Sequence, residues 1–265
     1  MIRLLYDPAE YRSFIDTIAR DERFSTPFFT AEKGEKAPEK KDHAVWGCYK
    51  KNGLIGVFCF LILPEEQYLE SMFLFARKEE AYRELIDHLK AQYPGFEAWF
   101  VMNPKNDVLR NLLSKARAFF FAEQKYMSYQ GEAKDNIPSV IPYSDLYKNA
   151  YISLHTRDAY WTGEKMLDAL DRFSVFLYTE ADDLLGYVDV SRGEGTNEIF
   201  DLLVRPEDRN RGIGRLLMEK AIHENIGHEL ILTVDSDNTP AFHLYESLGF
   251  REVPQNRSLT VRYSL

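Results

Sequence analysis

The chain has 265 residues, enough for two domains of roughly 130 residues each. Hydrophobic residues make up 45% and charged residues 28%, which suits a folded globular protein and excludes a disordered or fibrous one. A formal net charge of −9 argues against general affinity for nucleic acid, which needs clustered Lys and Arg, and leaves cationic small molecules as partners.

The start of the chain reaches Arg3, Asp7 and Pro8 too soon for a signal peptide. Its longest apolar run, residues 54–63, is too short for a bilayer span. A cytoplasmic protein with no membrane contact is expected. Cys48 and Cys59 are the only cysteines. With no histidine at ligand spacing they predict neither a disulfide framework nor a zinc site, and no metal is expected. If Asn52-Gly53 forms the hairpin turn, Cys48 faces Val57 rather than Cys59.

In chain order, residues 10–19 read as a helix, and the charged run 32–42 reads as a mobile solvated loop. Residues 45–49 and 54–63 form a hairpin about Lys51-Asn52-Gly53, because Asn-Gly supplies the positive φ angles of a tight turn. A strand at 68–75, a helix at 78–91, a strand at 96–102, a helix at 108–116 and a strand near Lys125 follow. Residues 130–138 are polar and broken by Gly131 and Pro138, as a linker is.

The second half repeats this order. A helical, aromatic-rich segment at 144–154 continues through Tyr160 and Trp161 to Leu170. Strands at 173–178 and 184–190 flank a turn at Ala181-Asp182-Asp183, and a third strand spans 198–204. Ile213, Leu216, Leu217 and Ala221 mark a helix, 230–234 a strand, Ala241, Leu244, Tyr245 and Leu248 a short helix, and 259–263 a closing strand. Leu54-Ile55-Gly56-Val57 echoes Leu184-Leu185-Gly186-Tyr187. The expected architecture is a tandem duplication of α/β domains, 1–130 and 137–265, each a mixed, mostly antiparallel sheet flanked by helices.

The most informative stretch, residues 204–217, leaves a strand, turns and enters a helix. Gly212 and Gly214 let backbone N–H groups approach a ligand, and a helix start offers unpaired donors and a positive dipole end. Arg209, Arg211 and Arg215 add charge that a pyrophosphate would use. The plain alternative is a loop whose glycines merely permit the turn. A dinucleotide-binding turn is the other rival, with Asp235 as its ribose acid. It lacks the third small residue, since Leu217 stands there, and residues 206–211 separate strand from glycines.

Arg209-x-x-Gly212-x-Gly214 after a strand resembles the acyl-CoA pyrophosphate loop of the GNAT superfamily of N-acetyltransferases. Asn238-x-x-Ala241-x-x-Leu244-Tyr245-x-x-x-Gly249-Phe250 resembles that superfamily's other cofactor-contacting segment. Two motifs in register identify the second half as GNAT-like. The resemblance implies that acetyl-CoA is the cosubstrate, that backbone groups of Leu202, Leu203 and Val204 line its pantetheine arm, and that Arg209, Asn210, Arg211, Gly212, Ile213, Gly214 and Arg215 hold its pyrophosphate. Asn238 would bond the pantetheine, and Tyr245 would stand near the thioester sulfur.

A phenol is protonated at neutral pH and can donate to a departing thiolate, so Tyr245 suits a general acid, although it also fits an apolar helix face. An alkylamine arrives mostly protonated, so a base or water chain is needed. Glu198 stands where some GNAT enzymes place a catalytic glutamate. Asp201 competes, on the opposite face of the strand unless a bulge intervenes. Either acid could instead be a solvated strand end. No cysteine lies in the second half, which favours direct attack in a ternary complex. His243 is expected to be exposed.

The acceptor is expected to be a primary amine, on a small molecule or a peptide, bound near Tyr160, Trp161 and Glu164, since aromatic faces and carboxylates attract ammonium groups. The rival function is a non-catalytic acyl-CoA-binding regulatory module. The first half is expected to bind no CoA: residues 76–84 lack glycine and carry Glu79, Glu80 and Glu84, and Leu113 stands at the place of Tyr245. Oligomeric state is left open by the sequence.

Overall fold

A computed structural model describes residues 1–51, 53–155, 160–193 and 195–265. The first half runs β1 (Ile2–Leu4), α1 (Arg12–Ala19), α2 (Ala31–Lys36), β2 (His43–Lys50), β3 (Gly53–Leu63), β4 (Tyr68–Ala76), α3 (Glu79–Gln92), β5 (Glu97–Met102), α4 (Asp107–Lys115) and β6 (Phe119–Tyr129). The second runs β7 (Val140–Pro142), α5 (Lys148–Leu154), α6 (Gly163–Asp168), β8 (Phe173–Glu180), β9 (Asp183–Ser191), β10 (Thr196–Val204), α7 (Ile213–Glu224), β11 (Glu229–Asp235), α8 (Thr239–Leu248), β12 (Phe250–Glu252) and β13 (Ser258–Ser264). Pairing is mostly antiparallel, broken where β4 runs parallel to β5 and β10 to β11.

Contacts group the chain into two units. One holds Met1–Lys125, Asp235–Asp237 and Pro254–Leu265; the other holds Tyr126–Val234 and Asn238–Val253. In the first unit the strand order is β1-β2-β3-β4-β5-β13-β6. One sheet face is covered by α3 and α4, whose Tyr82, Leu85, Leu89, Leu109 and Leu113 pack with Phe58, Phe60 and Phe100. The other is covered by α1, whose Ile15 and Ile18 pack with Val57, Cys59, Phe73 and Phe75. Each such apolar side chain withdrawn from water contributes about 1.5–3 kcal/mol, which is why all three helices are amphipathic.

The second unit keeps this plan, with β7-β8-β9-β10-β11 followed by the end of β6, whose residues 127–129 pair with β12. Ile213, Leu217, Ala221, Tyr245 and Leu248 of α7 and α8 cover one face, against Val188, Val190, Ile199 and Leu232. On the other, Tyr151 of α5 and Met166 of α6 meet Phe173, Val175, Leu177 and Tyr187.

Three expectations need correction. The strand at the C-terminus does not close the second half: β13 pairs antiparallel with β5 and with the first part of β6, so residues 254–265 belong to the first unit. The position beside β11 is filled instead by the end of β6. Neither half of the sequence therefore completes its own sheet, and the division 1–130 and 137–265 separates strands from their partners.

The charged run contains α2 and a following 3-10 turn (Ala37–Glu39) rather than a loop. Thr30 caps α2 by accepting the Lys33 N–H, Lys36 pairs with Glu32, and Tyr11 donates to the Gly34 carbonyl at 2.8 Å from within the core. Cys48 lies opposite Gly56, and Val57 opposite Gly47, because the register slips between Cys48 and Tyr49. Both thiols are buried and free. Asn52 of the expected turn lies outside the described residues.

Candidate active site

The second unit brings the expected cofactor residues to one end of β10. Parallel pairing of β10 with β11 is in register from Thr196↔Glu229 to Ile199↔Leu232, and β10 then continues to Val204 against β9 alone. Leu202, Leu203 and Val204 are half-buried along this edge. The opposite edge is held tightly: a Cβ on Gly186 would lie 2.7 Å from the Leu203 carbonyl oxygen, so only glycine lets β9 approach there.

Beyond Val204 a 3-10 turn (Pro206–Asp208) leads into the glycine loop. Asn210 at φ 63° and Gly212 at φ 84° reverse the chain, and Gly212 is the N-cap of α7 with no side-chain cap hydrogen bond. The first-turn N–H groups of α7, including those of Ile213 and Gly214, thus have no helical partner and no capping side chain. A Cβ at Gly212 would meet nothing within 4 Å, and one at Gly214 only ordinary contacts, the nearest 3.5 Å from Leu244. The space in front of this helix start is open, as an anion cradle requires.

The three arginines here differ in role. Arg211 is held by Glu180 (2.6 Å) and Asp208 (2.5 Å), so its charge anchors the loop rather than standing ready for a ligand. Burial pushes the Asp208 carboxyl up, but Arg205 and Arg211 outweigh it and hold it below the usual range. Arg215 reaches the Ser247 hydroxyl at 2.6 Å, and exposed Arg209 donates from Nε to the Val204 carbonyl at 3.2 Å. Asn238 caps α8, its Oδ1 accepting the Ala241 N–H at 3.3 Å.

Tyr245, on the inner face of α8, is 8% exposed. Burial, with a smaller push from the charge of Asp201, holds its phenol well above the usual tyrosine range. It is therefore a donor at neutral pH.

The relation between Glu198 and Asp201 turns on a bulge. In the β9–β10 ladder Ile199 faces Val190 and Asp201 faces Asp189, leaving Phe200 as the extra residue. Glu198 lies opposite Ser191, two residues from Asp189, so the bulge puts Glu198 and Asp201 on the same face. Their surroundings still differ. Asp201 accepts from the Tyr187 hydroxyl at 2.6 Å and acts on Tyr245, whereas the charge of Glu198 is felt by Tyr126.

Behind Asp201 lies a polar cluster that sequence spacing did not reveal. Asp189 is wholly buried. Its Oδ2 accepts from the Tyr151 hydroxyl at 2.8 Å and lies 3.1 Å from Nε2 of His155, while its Oδ1 has no hydrogen-bond partner among the described residues. His155 Nε2 is also 3.7 Å from Asp201, and its ring stacks on Tyr187 with centroids 5.1 Å apart. Desolvation pushes the Asp189 carboxyl up to about 6, against the opposing pull of His155 and Tyr151. The histidines are thus not all scattered: donor atoms of His155, Asp189 and Asp201 lie within 4.8 Å of one another. One signal was present in the sequence, an aspartate interrupting the apolar strand Leu184 to Val190. His243, by contrast, is 69% exposed at its side chain.

Tyr160 and Trp161 stand edge to face at 5.5 Å, and Trp161 joins Phe173 and Phe200. The chain's own cations already lie over both rings, Lys165 at 3.7 Å from the Tyr160 centroid and Arg172 at 5.2 Å from that of Trp161. Glu164 is exposed in the first turn of α6, and Asp158 lies outside the described residues.

The first unit supplies a control built into the chain. Its β3–β4 ladder bulges at Met72, with Phe73 facing Cys59 where the second unit has Asp201 facing Asp189. Asn106 caps α4 at φ −76°, ψ 71°, matching Asn238 at φ −78°, ψ 66°. Only Arg77 and Lys78 separate β4 from α3, where residues 205–212 separate β10 from α7. The Tyr82 hydroxyl donates to the Ala76 carbonyl at 2.8 Å and accepts from Asn106 Nδ2 at 2.9 Å. Those are the counterparts of Val204 and Asn238, so in the first unit a buried phenol satisfies the two groups that the sequence expectation assigns to a pantetheine in the second.

Residues 141–250 match the Acetyltransferase (GNAT) family. A mycothiol acetyltransferase of Rhodococcus erythropolis is 32% identical over 120 residues, 38% of this chain and 40% of that one. A [ribosomal protein bS18]-alanine N-acetyltransferase of Salmonella typhimurium is 35% identical over 95 residues, 35% of this chain and 57% of its own. The chain spans less than half the length of the first curated relatives it matches. Among solved structures, a GCN5-related N-acetyltransferase from Sphaerobacter thermophilus superposes with a TM-score of 0.65 at 14% identity, covering 100% of this chain and 95% of that one. A tandem GNAT protein from the clavulanic acid biosynthesis pathway gives 0.60 at 14% identity, covering 100% and 98%. At that identity these two likenesses speak to fold alone. Among the described residues no helix is long and apolar enough to cross a membrane.

Proposed function

We propose that the second unit, whose residues 141–250 match the Acetyltransferase (GNAT) family, transfers an acetyl group from acetyl-CoA to a primary amine by direct attack. The observation that carries the reading is the parting of β10 from β11 after Ile199, leading to an uncapped helix start at Gly212. When bound there, acetyl-CoA supplies a thioester carbonyl and a thiolate leaving group. The edge of Leu202, Leu203 and Val204 holds its pantetheine arm with Asn238, and the loop Arg209 to Arg215 receives its pyrophosphate.

Asp201, rather than Glu198, takes the proton of the acceptor ammonium, because it shares its surroundings with Tyr245 and is fixed by Tyr187. The freed nitrogen lone pair forms the C–N bond as the C–S bond breaks, and the Tyr245 hydroxyl protonates the departing sulfur. The nitrogen's second proton returns through solvent to Tyr245, so one proton is released per turnover. No step in this scheme requires a metal. The relatives are named for mycothiol and for an alanine of a ribosomal protein, so the likeness does not choose the acceptor. Because Lys165 and Arg172 cover the rings of Tyr160 and Trp161, an acceptor ammonium meets the carboxylate of Asp201 and not an aromatic cage.

The first unit binds no acetyl-CoA in this reading, since Tyr82 fills its cleft and Glu79 and Glu80 open α3. Calorimetry with acetyl-CoA, followed by thiol release with a panel of amines, tests the assignment. A binding module would bind the thioester and release no thiol when amine is added.

A further inference from the structure

We propose that His155 and Asp189 are the proton store of this site, receiving through Asp201 the proton that the acceptor ammonium gives up. The proposal rests on the reading that Asp201 faces the acceptor. A carboxylate is a weak sink for an ammonium proton, because the reference values, about 4 and about 10, are roughly six units apart; an imidazole, near 6.5, closes more than two of them. In the transfer the ammonium N–H bond breaks and the Asp201 carboxylate becomes a carboxylic acid. Its proton then forms the Nε2–H bond of His155, Asp201 returns to carboxylate, and the imidazolium sits beside the Asp189 carboxylate. The proton later leaves by the reverse path to solvent at Asp201, whose side chain is 29% exposed, against 2% for His155 and 0% for Asp189.

The His155–Asp189 link is at hydrogen-bond distance, and the Asp201–His155 gap, at ion-pair distance, is closed during transfer by a bridging water or a small shift of the ring. One imidazole nitrogen stands 3.1 Å from Asp189 and 3.7 Å from Asp201. Tyr151 and Tyr187 donate to the two carboxylates, and stacking on Tyr187 fixes the ring. The fold does not need these acids. In the first unit the same bulged ladder places Phe73 and Cys59, both buried in an apolar cluster, where Asp201 and Asp189 stand. A fully buried carboxylate with an oxygen unpartnered among the described residues is a standing cost to stability, which a role in the reaction accounts for. Among the described residues, the titratable groups facing the cluster are Tyr151 from α5, Tyr187 from β9 and Tyr245 from α8, with Tyr143 beyond Tyr151 and Glu198 earlier on β10.

The test is the pH dependence of turnover in full-length His155→Gln, Asp189→Asn and Asp201→Asn, using an amine that the wild type accepts. Each of the first two is expected to lower kcat about 100-fold at neutral pH, a usual contribution of general base catalysis. Acetyl-CoA affinity should be unchanged, and activity should return as rising pH deprotonates the amine. The double variant should be no worse than either single one, as for residues acting as one unit. Should a variant fold poorly, 15N NMR of the wild-type imidazole serves instead: His155 Nε2 is expected to change protonation with pH in parallel with the activity profile. Equal loss at every pH, an imidazole fixed in one state, or activity that a chelator abolishes and a divalent cation restores would overturn the store. If Asp201→Asn shows the pH-dependent loss and the other two do not, the base stands and the store fails. If Asp201→Asn is silent, the base assignment itself fails.

Discussion

Asp189 and Asp201 face each other in register across β9 and β10, one wholly buried and the other 29% exposed at its side chain, with His155 Nε2 within 3.7 Å of both. The first expectation concerns the buried member. Desolvation raises its folded-state pKa from 3.8 to about 6, so between those values the folded chain binds a proton that the unfolded chain does not. Stability from this group is present below about pH 4 and is lost as pH rises through 6. Asp189→Asn should therefore be more stable than the wild type above pH 7, by at most about 3 kcal/mol, with the gain shrinking toward pH 4. Denaturant unfolding at several pH values checks this, and a variant less stable at pH 8 than at pH 4 relative to wild type would contradict it.

At the helix start, Gly212→Ala places a side chain at φ 84°, which costs about 1–2 kcal/mol, while Gly214→Ala meets only ordinary contacts. The double variant should fold, yet in the proposed site its methyl groups stand where amides would approach a pyrophosphate. Calorimetry is expected to show acetyl-CoA affinity reduced at least about tenfold, equivalent to 1.4 kcal/mol.

Gly186→Ala is a different kind of lesion. Its Cβ would press on the Leu203 carbonyl at 2.7 Å, and backbone on both strands must shift. A loss of about 1–3 kcal/mol is expected. Acetyl-CoA binding should weaken too, because the displaced strand is the one that lines the cleft.

In the first unit, removal of the Tyr82 hydroxyl by Tyr82→Phe leaves the Ala76 carbonyl and Asn106 amide without it, a cost of about 1–3 kcal/mol. Acetyl-CoA stoichiometry should remain one per chain, since the loop before α3 is still too short and acidic. Two per chain, in this variant or in the wild type, would contradict the proposed division of labour.

Much of the fold, and the local elements that carry the candidate site, were legible in the sequence for identifiable reasons. Element order followed from apolar periodicity, and the cleft residues from motifs whose spacing is local: Gly212 and Gly214 at a helix start, Asn238 and Tyr245 on one short helix. What escaped depends on distant parts of the chain. Period-two alternation places Glu198 and Asp201 on opposite faces, and only the pairing with β9 shows that Phe200 is extra. His155 follows α5 with no neighbour to mark it, and its partners come from β9 and β10. The closing strand 259–263 has the right pattern for either sheet, and its place was decided by β5 and β6. Charge composition suggested a loop at 32–42, where the buried Tyr11 hydroxyl instead holds a helix.

The most direct test of the account is release of CoA thiol by the full chain with acetyl-CoA, with and without a panel of primary amines, in wild type and in Tyr245→Phe. The account predicts that at least one amine accelerates release, and that Tyr245→Phe binds acetyl-CoA as the wild type does but releases thiol about 10- to 100-fold more slowly. Binding of acetyl-CoA with no amine-dependent thiol from any acceptor, or full activity in Tyr245→Phe, would contradict it.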